Sequence, residues 1–342
     1  MFGVAANTEY FNDKYLERLE EFNTIVAENG CKMLHIHPQR DVYNFTDCDA
    51  HLAKAEELGM QFRGHTLLWG GFQPMWFYGT KGEDMRAAIV DHITTILNHY
   101  KGKVKIWDVV NEAIDDQATG ENGTWQYRDF NIYREVPDFV DLAFTTARSV
   151  DPEVKLFYND YDIEGVDIHG GKKTDAVYNF LKDLKERGIP VDGVGFQYHM
   201  HTNEGFIASY ESIMEAMARF GELGLEVQIT EADVDCVGGA SEENYALQAK
   251  SYADGLRACL DSPNCTGYLI WGIDDPDSWR YEGVPLIFDG NFDKKPAYYS
   301  LLNVFLEHNN NKEDSASDED IEVESGDVNG VEEEEDSSED EN

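Results

Sequence analysis

The sequence predicts an α/β protein folded as one closed (β/α)8 TIM barrel. Two observations predict it. Short apolar runs alternate with amphipathic stretches along residues 1–306, and the alternation repeats eight times. Hydrophobic residues make up 42% and aromatic residues 12% of the 342, enough for a large core. Strands that alternate with helices imply a parallel sheet with right-handed crossovers, and eight such units imply closure.

The elements follow in order. The strands are read as VAAN near residue 4, TIVAEN near 24, FRGHTLLW near 62 and KIWDVVNE near 105. They continue as KLFYND near 155, DGVGFQYH near 192, EVQITEAD near 226 and GYLIWG near 267. Helical spacing occupies 13–22, 47–59, 83–99, 135–149, 172–187, 206–222, 242–260 and 296–306. In MRAAIVDHITTILNHY the residues Ile89, Ile93, Ile96 and Leu97 fall on one face, with polar residues opposite. Residues 1–306 are therefore expected to be a single domain.

Charge excludes several functions. The chain carries 68 acidic and 27 basic residues, a net −41. A nucleic-acid binder that neutralises phosphates needs a basic surface, and docking on anionic lipid needs one too. No apolar run approaches the ~20 residues of a membrane span. Residues 309–342 hold sixteen acids and one lysine, without an aromatic residue. Such a segment cannot offset its ordering entropy by burial, so 307–342 is expected to be a disordered, solvated acidic tail.

Barrels of this kind carry their chemistry where strands end at the C-terminal side. Those ends read Glu28 and Asn29, His65 and Trp69, Asn111 and Glu112, Asn159, Gln197 and His199, Glu231, and Trp271. All are polar or aromatic, a set suited to a polyhydroxylated ligand: carboxylates and amides for hydroxyls, indoles for apolar sugar faces. Glu112 ends the fourth strand and Glu231 the seventh, so their side chains can meet across the barrel mouth. A carboxyl pair flanking a glycosidic bond is the minimum machinery for glycoside hydrolysis. One must be protonated and the other ionised, and proximity pushes their pKa values apart. Trp107 is read as core.

At these residues the sequence resembles glycoside hydrolase family 10, the endo-β-1,4-xylanases. The resemblance runs from about Phe2 to Leu306 through eight blocks in order: VAENGCK (26–32), RGHTLLW (63–69), WDVVNEA (107–113), LFYNDYDIE (156–164), DGVGFQYH (192–199), VQITEADV (227–234), WGIDDPDSW (271–279) and KKPAYYSLL (294–302). It implies Glu112 as general acid/base and Glu231 as nucleophile of a retaining mechanism, with the carboxylates ~5–5.5 Å apart. It implies that Asn111 donates to the sugar 2-OH, and that His199 contacts Glu231 and is held by Asp233. Glu28, Asn29 and Lys32 match residues that hold xylose hydroxyls on the non-reducing side. His65, Trp69 and Gln197 match the wall around the cleavage-point sugar, Trp271 and Trp279 its aromatic floor and lid, and Tyr161 a further subsite contact. The expected substrates are xylan and xylo-oligosaccharides, and the expected protein is a monomer without cofactor, metal, nucleic-acid or membrane partner.

The chain departs from the family pattern at three single positions and in one loop. Met33 stands where Trp usually follows the lysine, His37 where Glu precedes the next proline, and Gly70 where His follows Trp69. The loop after strand three is altered to GGFQPMW. These departures bear on affinity and subsite preference, not on reaction type. An endo-β-1,4-glucanase is the nearest rival, although Glu28, Lys32 and Trp279 would crowd its extra CH2OH groups. A non-catalytic sugar-binding barrel should have lost one carboxylate, and both are present.

Cys259 and Cys265 sit six apart across a helix-to-strand turn, as a disulfide or as two buried thiols. The five cysteines leave at least one thiol free. Asn44, Asn122 and Asn264 head glycosylation acceptor patterns. Met1 is followed at once by strand-like FGVAANT, so upstream residues, a leader included, are expected to be missing and the protein to be secreted.

Overall fold

The computed structural model describes residues 1–116, 123–203 and 205–325. The chain forms two compact units, Met1–Leu301 and Leu302–Asn342. The first is the barrel. Its strands are β1 (Phe2–Ala6), β2 (Thr24–Ala27), β3 (Gln61–Arg63), β4 (Leu68–Trp69), β5 (Ile106–Asn111), β6 (Lys155–Asp160), β7 (Gly193–Phe196), β8 (His199–His201), β9 (Glu226–Asp235) and β10 (Cys265–Ile270). All strand pairs are parallel, running β3-β2-β1-β10-β9-β7-β6-β5-β4. A bridge from Gly64 to Trp107 joins the end of β3 to β5 and closes the ring.

Ten strands make eight staves. The third stave is β3 plus β4 and the sixth is β7 plus β8, each broken by a short non-strand stretch that holds site residues: His65 in one, Gln197 in the other. Closure of the third stave depends on Gly64, where a Cβ would lie 2.1 Å from the Trp107 ring. Trp107 is fully buried and packs on Tyr100, as a core residue.

The helices wrap the outside because each has one apolar stripe. Helix Gly82–Tyr100 buries Met85, Ile89, His92, Ile93, Ile96, Leu97 and Tyr100. Helix Phe139–Val150 begins four residues later than the spacing suggests, since Pro137 disfavours helical geometry at Val136. Helix Tyr210–Glu222 starts where the Ser209 side chain accepts the Ser212 N–H. Short helices Met33–Ile36, Met75–Tyr78 and Asn131–Glu135 sit in the loops after β2, β4 and β5.

Helix Pro296–Ser325 runs on through residues 307–325, the first part of the stretch read as a disordered tail. No proline or glycine interrupts 297–325, so nothing in the backbone ends the helix there. Residues 326–342 lie outside the described ones.

Two disulfides are present. Cys259–Cys265 ties helix Glu242–Asp261 to β10, and Cys31–Cys48, not foreseen, ties the loop after β2 to helix Thr46–Glu57. Cys236 is free and buried. Asn264 donates to the carbonyls of Met217 and Leu225 at 2.9 and 3.3 Å, a structural rather than a free amide. Asn122 lies outside the described residues. Among the described residues no helix is long and apolar enough to cross a membrane.

Candidate active site

A cleft of about 840 Å³ opens at the C-terminal ends of the strands. Every site residue expected from the sequence lines it except Asp233, which lies behind His199, and Asn159, which is fully buried and bonds Glu231.

Both glutamates reach the cleft by the same local device. In β5 the pairing with β6 advances from Asp108↔Phe157 to Val110↔Tyr158, one residue extra on β5. In β9 the pairing with β10 advances from Ile229↔Tyr268 to Ala232↔Ile270, one residue extra on β9. A bulge of this kind inverts the in–out alternation beyond it. Asp108 and Gln228 precede the bulges and point into the barrel, where both bond the buried Arg63 guanidinium. Past the bulges the alternation resets, and Asn111 and Glu231 also face the interior. Glu112 then turns off the strand with φ +53°, a left-handed conformation rare for a side-chain-bearing residue, fixed by its N–H donating to Asn159 O at 2.9 Å.

A chain of amides joins the two carboxylates. Asn159 Nδ2 donates to Glu231 Oε1 at 2.6 Å and to Asn111 Oδ1 at 2.8 Å. Gln197 Nε2 donates to Asn111 Oδ1 at 3.2 Å and to Glu112 Oε1 at 3.1 Å. Trp69 Nε1 donates to Glu112 Oε2 at 3.1 Å, and Asn111 Nδ2 lies 3.4 Å from Oε1. Asn159 is held from behind by the Thr230 hydroxyl at 2.7 Å. It needs Gly195 beside it, where a Cβ would fall 2.1 Å from its Oδ1.

The surroundings set the two acidities in opposite directions. Burial raises the Glu112 carboxyl above its ordinary pKa, and the nearby charges of Asp160 and Glu231 add to this. Burial would also raise Glu231, but the charge of His65, the hydrogen bond and charge of His199, and the charge of Lys32 outweigh it and hold Glu231 below its ordinary value. His199 Nε2 lies 3.4 Å from Glu231 Oε2, and Nδ1 lies 3.0 Å from Asp233 Oδ2. Burial opposes the charged imidazole, yet Asp233 and Glu231 together push its pKa up to about 10. Asp233 also accepts from Trp279 Nε1 at 2.8 Å and from Arg280 at 2.5 Å. His65 is oriented by Asp108 at 2.9 Å and sits 3.9 Å from Glu231.

Lys32 is almost fully buried and donates to Asn29 Oδ1 at 3.1 Å. Trp271 is buried beneath the cleft, whereas Trp279 is 57% exposed over it. Tyr161 donates to Asp116 Oδ2 at 2.6 Å and carries the Lys173 ammonium 3.3 Å from its ring centre.

Several lining or supporting groups were not singled out from the sequence: Phe72, Arg128, His169, His201, Phe206 and Arg280, together with Asn159 as a bridge. Two departures from the family pattern lie off the cleft. Met33 is buried, and His37 lines a separate small pocket beside Trp76. Gly70 is covered by the Phe130 ring, 2.1 Å from where its Cβ would stand, so no larger side chain fits there. Among the described residues no three His, Cys, Asp or Glu side chains converge on a common metal position.

A family model described as glycosyl hydrolase family 10 matches residues 1–304. Endo-1,4-beta-xylanase B of Neocallimastix patriciarum is 49% identical over 304 residues, covering 88% of this chain and 34% of that protein, so the chain spans only that fraction of the relative's length. Endo-1,4-beta-xylanase B of Thermotoga neapolitana is 36% identical over 319 residues, covering 89% of this chain and 88% of the relative. The crystal structure of xylanase 10B from Thermotoga petrophila in complex with xylobiose superposes with a TM-score of 0.82 at 38% identity, covering 90% of this chain and 94% of that one.

Proposed function

We propose, because the chain belongs to glycosyl hydrolase family 10, that it is an endo-1,4-β-xylanase. It hydrolyses internal β-1,4-xylosidic bonds of xylan and xylo-oligosaccharides with retention of anomeric configuration. The observation that carries this reading is the pair of glutamates in one cleft whose acidities are displaced in opposite directions.

In the first step protonated Glu112 gives its proton to the glycosidic oxygen while ionised Glu231 attacks the anomeric carbon. The bond to the leaving sugar breaks and a glycosyl ester forms on Glu231. In the second step the Glu112 carboxylate takes a proton from water, which attacks the same carbon and releases Glu231. Asn111, with Nδ2 the group not spent on Asn159 or Gln197, donates to the sugar 2-OH. His199, backed by Asp233, keeps Glu231 ionised. Glu28, Asn29 and Lys32 hold glycone hydroxyls. His65, Trp69 and Gln197 wall the cleavage-point sugar between Trp271 below and Trp279 above, and Tyr161 meets the leaving-group side.

The substrate class is tested by kcat/KM on xylan against carboxymethyl cellulose. Preference for xylan supports the reading, and clear preference for the glucan overturns it. Two disulfides support residence in an oxidising compartment, hence secretion. Residues 1–306 act as the catalytic domain and as a monomer, so removal of 307–342 leaves kcat/KM and the molecular mass per particle of the barrel unchanged.

A further inference from the structure

Lys32 poses a physical problem. Its side chain is 6% exposed, and among the described residues no carboxylate oxygen lies within 4 Å of Nζ. Among the described residues its one hydrogen bond goes to Asn29 Oδ1. A buried ammonium without an ion-pair partner should shed its proton or draw in water. The charges of Glu231, Glu28 and Glu112 favour the ammonium from beyond contact range, and its nearer surroundings are aromatic. The ammonium lies 5.2 Å from the Trp69 ring centre, 4.9 Å from Phe72 and 5.8 Å from Trp271, all inside cation–π range. Phe72 is the nearest of the three. It stacks on Trp69 with centroids 5.6 Å apart and planes within 3°, so the two rings form one aromatic stack beside the cation.

Trp69 and Trp271 have other tasks: one donates to Glu112, and the other floors the cleft and packs edge-on against His65. Phe72 has no hydrogen-bonding group and comes from the GGFQPMW loop. We propose that Phe72 is a positioning residue for the Lys32 ammonium: it completes an aromatic cage that keeps Nζ charged and stripped of water, with its free N–H groups turned to the hydroxyls of a glycone pentose. The aromatic faces attract the cation without accepting its hydrogen bonds. Lys32 therefore keeps two donors for substrate, which a carboxylate partner would have consumed.

This inference rests on the reading of Lys32 as a substrate contact, and a double-mutant cycle separates the two. Phe72→Leu, Lys32→Met and the double variant are compared on xylotetraose, with Phe72→Tyr as the conservative control. Leucine keeps apolar bulk and removes the π face. Phe72→Leu is expected to lower kcat/KM about tenfold, mainly through KM, Phe72→Tyr to restore it, and the double variant to be no worse than Lys32→Met alone. If Lys32→Met leaves KM unchanged, Lys32 is not a substrate contact and the underlying reading fails. If Lys32→Met raises KM but the Phe72→Leu loss is additive to it, or absent, Phe72 does not act through Lys32 and the inference itself is overturned.

Discussion

Replacing His199 by asparagine tests how the cleft divides labour between its carboxylates. The imidazolium nitrogen lies 3.4 Å from Glu231 Oε2. Two unit charges at that distance interact by about 5 kcal/mol at an effective dielectric of ~20. Most of this does not reach the nucleophile, because Asp233 sits 3.0 Å behind the ring and offsets its field. A net rise in the Glu231 pKa remains once the cation is gone, because the His199 charge and hydrogen bond are among the causes that hold it down. Asparagine removes the charge and keeps a donor. Asp233 stays bonded to Trp279 and Arg280, so the backing remains folded. Glu231 must be ionised to attack, and a raised pKa means that less acid is needed to protonate it. The acidic limb of kcat/KM on an aryl β-xylobioside therefore moves to higher pH. The alkaline limb, set by Glu112, moves far less, since Glu112 takes no contact from His199. A variant whose whole profile drops with both limbs in place would refute the electrostatic role and leave only a packing role.

Three further outcomes follow from the same geometry. Glu112→Ala should slow xylo-oligosaccharides far more than aryl glycosides with good leaving groups, and equal losses on both would contradict the acid/base role. Glu164 is buried, accepts the Tyr198 N–H at 2.7 Å, and has its pKa pushed up to about 7, first by burial and then by the charge of Asp162. The folded protein holds that proton longer than the unfolded chain does. Its stabilising effect is complete below the ordinary glutamate value and is lost as pH rises through about 7, at most about 3 kcal/mol. Glu164→Gln should flatten that decline in urea titrations between pH 4.5 and 7.5, and an unchanged slope would contradict it. Opening Cys31–Cys48, with sequence separation 17, by a double serine substitution should cost about 3 kcal/mol of stability, read as a lowered Tm, while kcat stays near that of the parent.

The barrel was legible because each strand is a short apolar run and each helix carries a 3.6-residue stripe. The site was legible because its residues cluster where those runs end. What escaped has physical reasons. Strict alternation along β5 sends Asp108 and Asn111 to opposite faces, and only the bulge brings both inside. Asn159 stood at a strand end, but nothing in one chain segment shows that its amide bridges Asn111 to Glu231. Phe72 and Arg128 come from loops without periodicity. The Cys31–Cys48 pair joins a loop to a helix that only the folded barrel brings together.

The most direct test of the double-displacement account is to catch the sugar on the protein. A 2-deoxy-2-fluoro-β-xylobioside with an activated leaving group should glycosylate the enzyme, expelling that leaving group, and the adduct should persist, because the fluorine slows the second step more than the activated first. Peptide mass spectrometry is predicted to find one xylobiosyl adduct, on Glu231, in a protein that then releases its label slowly. Label on Glu112 or elsewhere, or a first-formed product of inverted configuration, would contradict the account.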